Sequence, residues 1–184
     1  QLRHALELEP NNARACNNLA CAYAAGNNHK EALLTIEREA MLSEKNYDTG
    51  RDKERDKSAE VHGIALCNWA LIAMDLEQID LAITKATHAV EVYPCAQTRV
   101  ALALCWPASG TPEKALPLYN AVLDEVPKHH VAGMNASFVG TLTDATPKEL
   151  LAQRRRFWEG QRQVGSGLKH HALSLNGKPL RVGY

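Results

Sequence analysis

The stretch ARACNNLACAYAAGNNHKEALLTIEREAMLSEKN, Ala13 to Asn46, decides the fold, because its spacing returns twice further along the chain. It splits into two short apolar-periodic runs, Ala15–Ala25 and Lys30–Leu42. In the first, Leu19 and Tyr23 are four residues apart and share one face of a helix. Gly26-Asn27-Asn28 then supplies a turn, since glycine and asparagine enter the left-handed region of backbone space at little cost. In the second run Ala32, Ile36 and Ala40 line one face at intervals of four. The small Ala20 and Ala32 let the two helices approach closely. A hairpin of this size cannot bury its apolar face alone, so it needs copies.

The copies are present. In the second, beginning at Gly63, Trp69, Ala70 and Ala73 take the places of Leu19, Ala20 and Tyr23. Ala82, Ala86 and Ala89 line its second helix, and Val92 with Pro94 closes it. The third begins at Ala96, with Leu102, Ala103, Trp106, Gly110, Ala115 and Tyr119 in the same frame and Val122 with Pro127 at its end. Thr111-Pro112-Glu113 reads as a helix start with a hydroxyl cap, and Pro117 is expected to kink or shorten that helix. Upstream, Gln1–Glu9 reads as the second helix of a partial repeat, and Leu8 stands 34 residues before Leu42. A 34-residue helix–turn–helix period resembles the tetratricopeptide repeat, which implies an all-α, right-handed solenoid of helical hairpins.

The array is interrupted once. A regular repeat would restart near Tyr47, yet the frame resumes at Gly63, sixteen residues late. The inserted segment 47–62 carries Asp48-Thr49-Gly50-Arg51-Asp52-Lys53-Glu54-Arg55-Asp56-Lys57, a run with almost no apolar content. It reads as a solvated loop or an exposed helical extension, with a docking insert as the sharper alternative.

Composition narrows the function classes. Lys and Arg balance Asp and Glu at 21 each, so no bulk charge draws the chain to nucleic acid or a membrane. From Thr146 onward, however, eight basic residues face two glutamates. The cysteines (Cys16, Cys21, Cys67, Cys95 and Cys105) form no C-x-x-C pair and fall mostly at buried-looking helix positions. Cys16 and Cys21 are read as packing residues, and a reduced, cytoplasmic setting is expected. No membrane-length apolar run or signal peptide is apparent. The chain starts at Gln1 within a helical pattern and reads as a fragment of something larger.

After Pro127, His130–Leu142 reads as the first helix of a fourth hairpin with no matching second helix. Thr146-Pro147-Lys148-Glu149 forms a capping box and opens a basic helix running to about Gln163, before Gly165-Ser166-Gly167. A polar loop, His170–Lys178, leads to Leu180-Arg181-Val182-Gly183-Tyr184, which reads as the opening of a strand.

The stretch from Thr146 to Trp158 resembles the linker helix that follows the repeats in bacterial O-linked N-acetylglucosamine transferases and plant SPINDLY proteins. Pro179–Tyr184 is similar to the first strand of their catalytic region. The resemblance implies repeats over residues 1–143, a linker helix and loop over 144–176, and from 177 the truncated first strand of a missing α/β domain. It implies an inverting transferase that moves N-acetylglucosamine or fucose from a UDP-sugar or GDP-sugar donor to Ser or Thr hydroxyls. The donor and chemistry belong to residues beyond Tyr184, so this chain alone is expected to hold no cofactor and to catalyse nothing. Arg154 stands where the bacterial family often carries a His, which sets this sequence apart.

The resemblance also implies a ladder of inward-facing asparagines that holds an extended polypeptide in the concave groove. Asn18 and Asn68 occupy that position, Asn135 does so in the fourth hairpin, and Ala101 leaves a gap. A carboxamide both donates and accepts, so it pairs with a peptide unit regardless of sequence. Asparagine is frequent there in tetratricopeptide repeats of every kind, and a plain interaction scaffold with no transferase is the alternative. His129-His130 and His170-His171 lack Cys, Asp or Glu at ligand spacing and read as surface or linker residues. Arg154-Arg155-Arg156, with Arg162 and Lys169, reads as a docking face for an acidic neighbouring domain rather than a phosphate site.

Overall fold

A computed structural model of the protein describes residues 2–9, 12–49 and 52–162. These residues form a run of helices: α1 (Leu2–Leu8), α2 (Ala13–Ala25), α3 (His29–Thr49), α4 (Asp52–Asp75), α5 (Ile79–Val92), α6 (Ala96–Ala108), α7 (Ala115–Glu125), α8 (His130–Val139) and α9 (Pro147–Arg162). There is no strand among the described residues. The expected strand and polar loop lie outside them.

The hairpins pair α2 with α3, α4 with α5, and α6 with α7, and each packs on the next. Their turns are alike because one residue in each takes a left-handed conformation: Asn27 at φ 57°, Glu77 at φ 59° and Gly110 at φ 78°. The following amides close the turns, from Asn28 to the Tyr23 carbonyl at 2.8 Å, Gln78 to Ala73 at 2.9 Å and Thr111 to Trp106 at 3.2 Å. The alanines that let the helices approach are all fully buried: Ala20, Ala70 and Ala103 on the first helices, Ala32, Ala82 and Ala115 on the second. Larger residues fill what remains, with Ile36, Trp69, Leu66 and Tyr119 buried between layers. Each such side chain contributes roughly 1.5–3 kcal/mol by leaving water.

First helices also touch first helices. α2 packs on α4, α4 on α6, and α6 on α8, whereas the second helices α3, α5 and α7 make no contact of comparable extent with one another. The first helices therefore form a continuous layer.

Local expectations met different fates in the third hairpin. Pro112–Lys114 forms a 3-10 turn, so α7 spans 11 residues against 14 for α5. This is the shortening that Pro117 called for, and Pro117 itself lies in the first turn of α7, where its missing N–H has no intrahelical partner to lose. Thr111 makes no cap bond, since its hydroxyl pairs with Ser109 at 2.8 Å instead.

The charged insertion is helical. Asn12 and Cys95 sit at the starts of α2 and α6, but the matching residue of α4 is His62, in mid-helix. α3 and α4 thus extend together past the ends of their counterparts. His62 is buried between Tyr47, with ring centroids 6.2 Å apart, and His88, at 5.6 Å. Its Nδ1 lies 2.9 Å from Ser43 Oγ.

The fourth hairpin has a second helix after all, which corrects the sequence reading. α9 runs antiparallel to α8, with His130 against the Phe157 ring at 5.7 Å and Gly133 beneath that ring. Gly140 meets Leu150 and Gln153 at the other end. The signal was obscured because the helix carries few apolar residues and is read first for its charge. The expected capping box forms: the Thr146 amide and hydroxyl both donate to Glu149 Oε2 at 2.7 Å.

Candidate binding face

The three asparagines that the repeat position singles out sit on α2, α4 and α8, in the first-helix layer. Asn18 is exposed, with no hydrogen bond assigned among the described residues. Asn68 is half-buried, and its Nδ2 donates to Asn17 Oδ1 at 2.8 Å. The neighbouring Asn17, which the repeat frame did not single out, therefore joins α2 to α4. The Nδ2 of Asn135 turns back to the Val131 carbonyl of its own helix at 2.9 Å. Ala101, between them in the frame, is buried. The structure thus joins Asn68 to Asn17, the neighbour of Asn18, and leaves Asn135 bonded within its own helix.

Beside this group, α2 and α4 enclose a recess of about 310 Å³. Arg14, Asn17 and Asn18 wall one side, Lys57, Glu60 and Ile64 the other, and Glu39 of α3 also lines it. Glu39 has no exposed surface, and neither of its carboxyl oxygens has a hydrogen-bond partner among the described residues. Burial pushes its pKa up to about 8, so the carboxyl holds its proton at neutral pH. Sequence reading missed Glu39 because it looked like one more polar residue of a charged helix. The available signal was its position, since the frame puts Ala89 and Val122 at the same place in the next two hairpins.

Other chemistry-bearing residues are structural. The Ser43 Oγ lies 3.0 Å from the Ala40 carbonyl and 2.9 Å from His62 Nδ1, in a pair that ties α3 to α4. Ser43 is also buried, beyond the reach of a substrate. His129 caps α8, its Nδ1 accepting from the Ala132 amide at 3.1 Å, and His130 packs on Phe157. Among the described residues no group of His, Cys, Asp and Glu is placed to hold a metal. His170 and His171 lie outside them.

Cys16, Cys67 and Cys105 are buried free thiols. Cys21 is exposed, which corrects its reading as a packing residue, and Cys95 begins α6 with its amide bonded to Thr98 Oγ1 at 3.0 Å. The basic helix uses Arg156 within the chain: Nη2 pairs with Asp124 of α7 at 2.6 Å and Nη1 reaches Asn120 at 3.4 Å. Its acidic neighbour is the preceding hairpin. No helix among the described residues is long and apolar enough to cross a membrane.

Residues 67–130, which span most of the second hairpin and all of the third, match the family model of the tetratricopeptide repeat. The fold is a tetratricopeptide-repeat solenoid. Solved structures of the MamA protein share it. One is 15% identical with a TM-score of 0.64, covering 91% of this chain and 84% of that one. Another, the MamA RS-1 ArsTM double mutant, is 16% identical with a TM-score of 0.64, over 90% and 84% of the two chains. A third MamA crystal structure is 15% identical with a TM-score of 0.62, over 89% and 86%. At such identities the likeness concerns the fold alone. No match was found among curated protein sequences. Tetratricopeptide repeats are interaction scaffolds, and the first-helix layer of this solenoid carries its adjacent carboxamides.

Proposed function

We propose that this chain is a scaffold that binds an extended polypeptide along its first-helix layer, with Asn18 and Asn68 holding the peptide backbone. Closer packing among first helices than among second helices favours a solenoid concave on that side, where such proteins present an extended surface. The observation that carries the reading is the carboxamide group on adjoining helices, with Asn18 exposed beside the recess and Asn68 positioned by Asn17. Asn135 is a further rung only if its bond to Val131 opens.

The test is binding of a fluorescent, unstructured Ser/Thr-rich peptide to the full chain and to its Asn18→Ala, Asn68→Ala variant. Loss of two hydrogen-bonding amides is expected to weaken binding about tenfold or more. Unchanged affinity would remove both asparagines from the account.

A second reading places this scaffold in a larger protein. The Thr146-capped basic helix that closes the last hairpin, followed by Pro179–Tyr184, favours the repeat arm of a transferase similar to the O-linked N-acetylglucosamine and SPINDLY enzymes. On that reading the groove presents acceptor polypeptides to a catalytic region that uses a UDP-sugar or GDP-sugar. Arg154, where the bacterial family often has His, argues for a difference in that activity. The reading frame beyond Tyr184 decides it: a continuation without two Rossmann-like halves would end the proposal.

A further inference from the structure

Two departures from the repeat meet at one place. The first is Glu39, which takes the position of Ala89 and Val122, fully buried like them but carrying two unpartnered oxygens. Burying a carboxyl without donors is strongly unfavourable, so this position is built around an unmet need for N–H groups. The second is the insertion, whose residues Lys57, Glu60 and Val61 form one wall of the recess that Glu39 lines. The other hairpins lack this extension among the described residues, and with it this wall.

We propose that the recess is an anchor pocket for one cationic side chain, an arginine, of the polypeptide bound along the first-helix layer. The proposal rests on the peptide-binding reading above and names the side chain that fixes its register. A guanidinium presents paired N–H groups in a planar fork that matches the two empty oxygens of one carboxylate. Val61 and Ile64 offer apolar surface to its methylene stem, and Asn17 and Asn18 stand beside the entrance for the peptide backbone. Arg14 and Lys57 are exposed where they line the recess, so solvent and salt screen their charges, while Glu60 adds a second negative charge.

Proton linkage follows from the geometry. Empty, the pocket carries a proton on Glu39 below about pH 8. Arginine selects the ionised carboxylate and releases that proton, so affinity rises about tenfold per pH unit up to that value. The groups facing Glu39 are Arg14, Cys16 and Cys21 on α2 and Lys57 and Glu60 on α4, with Arg38 beside it on α3. Burial raises both thiols above their ordinary range, so they stay neutral across this window.

The experiment uses the full chain and two fluorescent Ser/Thr-rich peptides, one with a central arginine and one with its neutral isostere citrulline. At pH 8 the arginine peptide is expected to bind at least tenfold tighter than its twin, and to lose tenfold or more on going to pH 6. Glu39→Gln, which keeps the shape, is expected to erase both differences. Equal affinities of the two peptides overturn the pocket. If Asn18→Ala with Asn68→Ala still weakens both peptides, the groove reading survives that result. If neither peptide binds, the groove reading falls and the pocket is judged alone, by titrating N-acetyl-argininamide while following the Glu39 carboxyl by ¹³C NMR. A resonance that moves with the titration supports the pocket, and one that stays still at saturating millimolar probe overturns it.

Discussion

The Asn68 amide donates to Asn17 Oδ1 at 2.8 Å, a bond between side chains of adjacent first helices. It fixes the rotamer of Asn68 and leaves the second amide hydrogen and the carbonyl of that side chain for a guest. Asn17→Ala is expected to lower stability by about 1 kcal/mol and to weaken peptide binding less than Asn68→Ala does. Chemical denaturation and peptide titration of the two variants check this. Equal losses of affinity would make Asn17 a direct contact rather than a positioning residue.

Glu77 holds φ 59° at a turn where the third hairpin has Gly110. A left-handed backbone costs a residue with a Cβ roughly 1 kcal/mol, and glycine escapes most of it. Glu77→Gly is therefore expected to stabilise the chain by about that amount, raising the melting midpoint by roughly 2–4 °C in a chain of this size. A lower midpoint would show that the side chain contributes something the turn geometry does not reveal.

Glu39 makes stability depend on pH in an unusual direction. An unfolded chain releases the Glu39 proton at about pH 4.3, whereas the folded chain holds it to about pH 8. Between those values the folded state binds more protons, so stability is greatest at the acid end and falls as pH rises through the window. The loss approaches about 1.4 kcal/mol per pH unit. Glu39→Gln is expected to flatten that slope and to stabilise the protein more at pH 8 than at pH 5. Parallel pH profiles from urea unfolding of the two proteins would contradict the assignment.

At the start of α9 the sign is reversed. Hydrogen bonds from the Thr146 side chain, then from its backbone amide, hold the Glu149 carboxyl below its ordinary range. This contribution is present above the unfolded pKa and is lost as pH falls through the folded one. The protection factors of amides in the first turn of α9, with the intrinsic pH dependence of exchange divided out, are expected to fall on acidification in the wild type. In Glu149→Gln the protection factors should be low already and unchanged over the same range.

Gly133 lies under the Phe157 ring, and a Cβ there would collide with ring carbons. Gly133→Ala is expected to displace Phe157 and loosen α9 from α8, at about 1–3 kcal/mol. Faster amide exchange confined to α9 would be the signature. A variant with unchanged protection would mean that the ring slides aside freely.

The repeat was legible because small residues recur where helices must approach, and Ala20, Ala70 and Ala103 are all fully buried. The turns were legible in type, although Glu77 shows that backbone geometry is imposed by the hairpin even on a residue that resists it. The insertion could be counted but not shaped, because charged residues suit a loop and an exposed helix equally well. The second helix of the last hairpin was hidden for a related reason: α9 docks through Phe157, Leu150 and one arginine rather than an apolar stripe. Asn18 and Asn68 were singled out by register. Glu39 was not, although the same register, which puts Ala89 and Val122 at its place, marks it as an inward position.

The paired lengthening of α3 and α4 has a consequence for how such arrays change. Both helices grow past the same joint, one at its end and the other at its start, so sixteen added residues leave Ala13 and Gly63 at equivalent stations of the stack. The seven residues Ser43–Thr49 carry the arm about 10 Å outward at 1.5 Å per residue. A joint between hairpins is thus a place where a solenoid sprouts a spoke while the repeat frame resumes beyond it. Lengthening or trimming that spoke by matched turns of both helices would tune how far the molecule reaches while leaving its curvature alone.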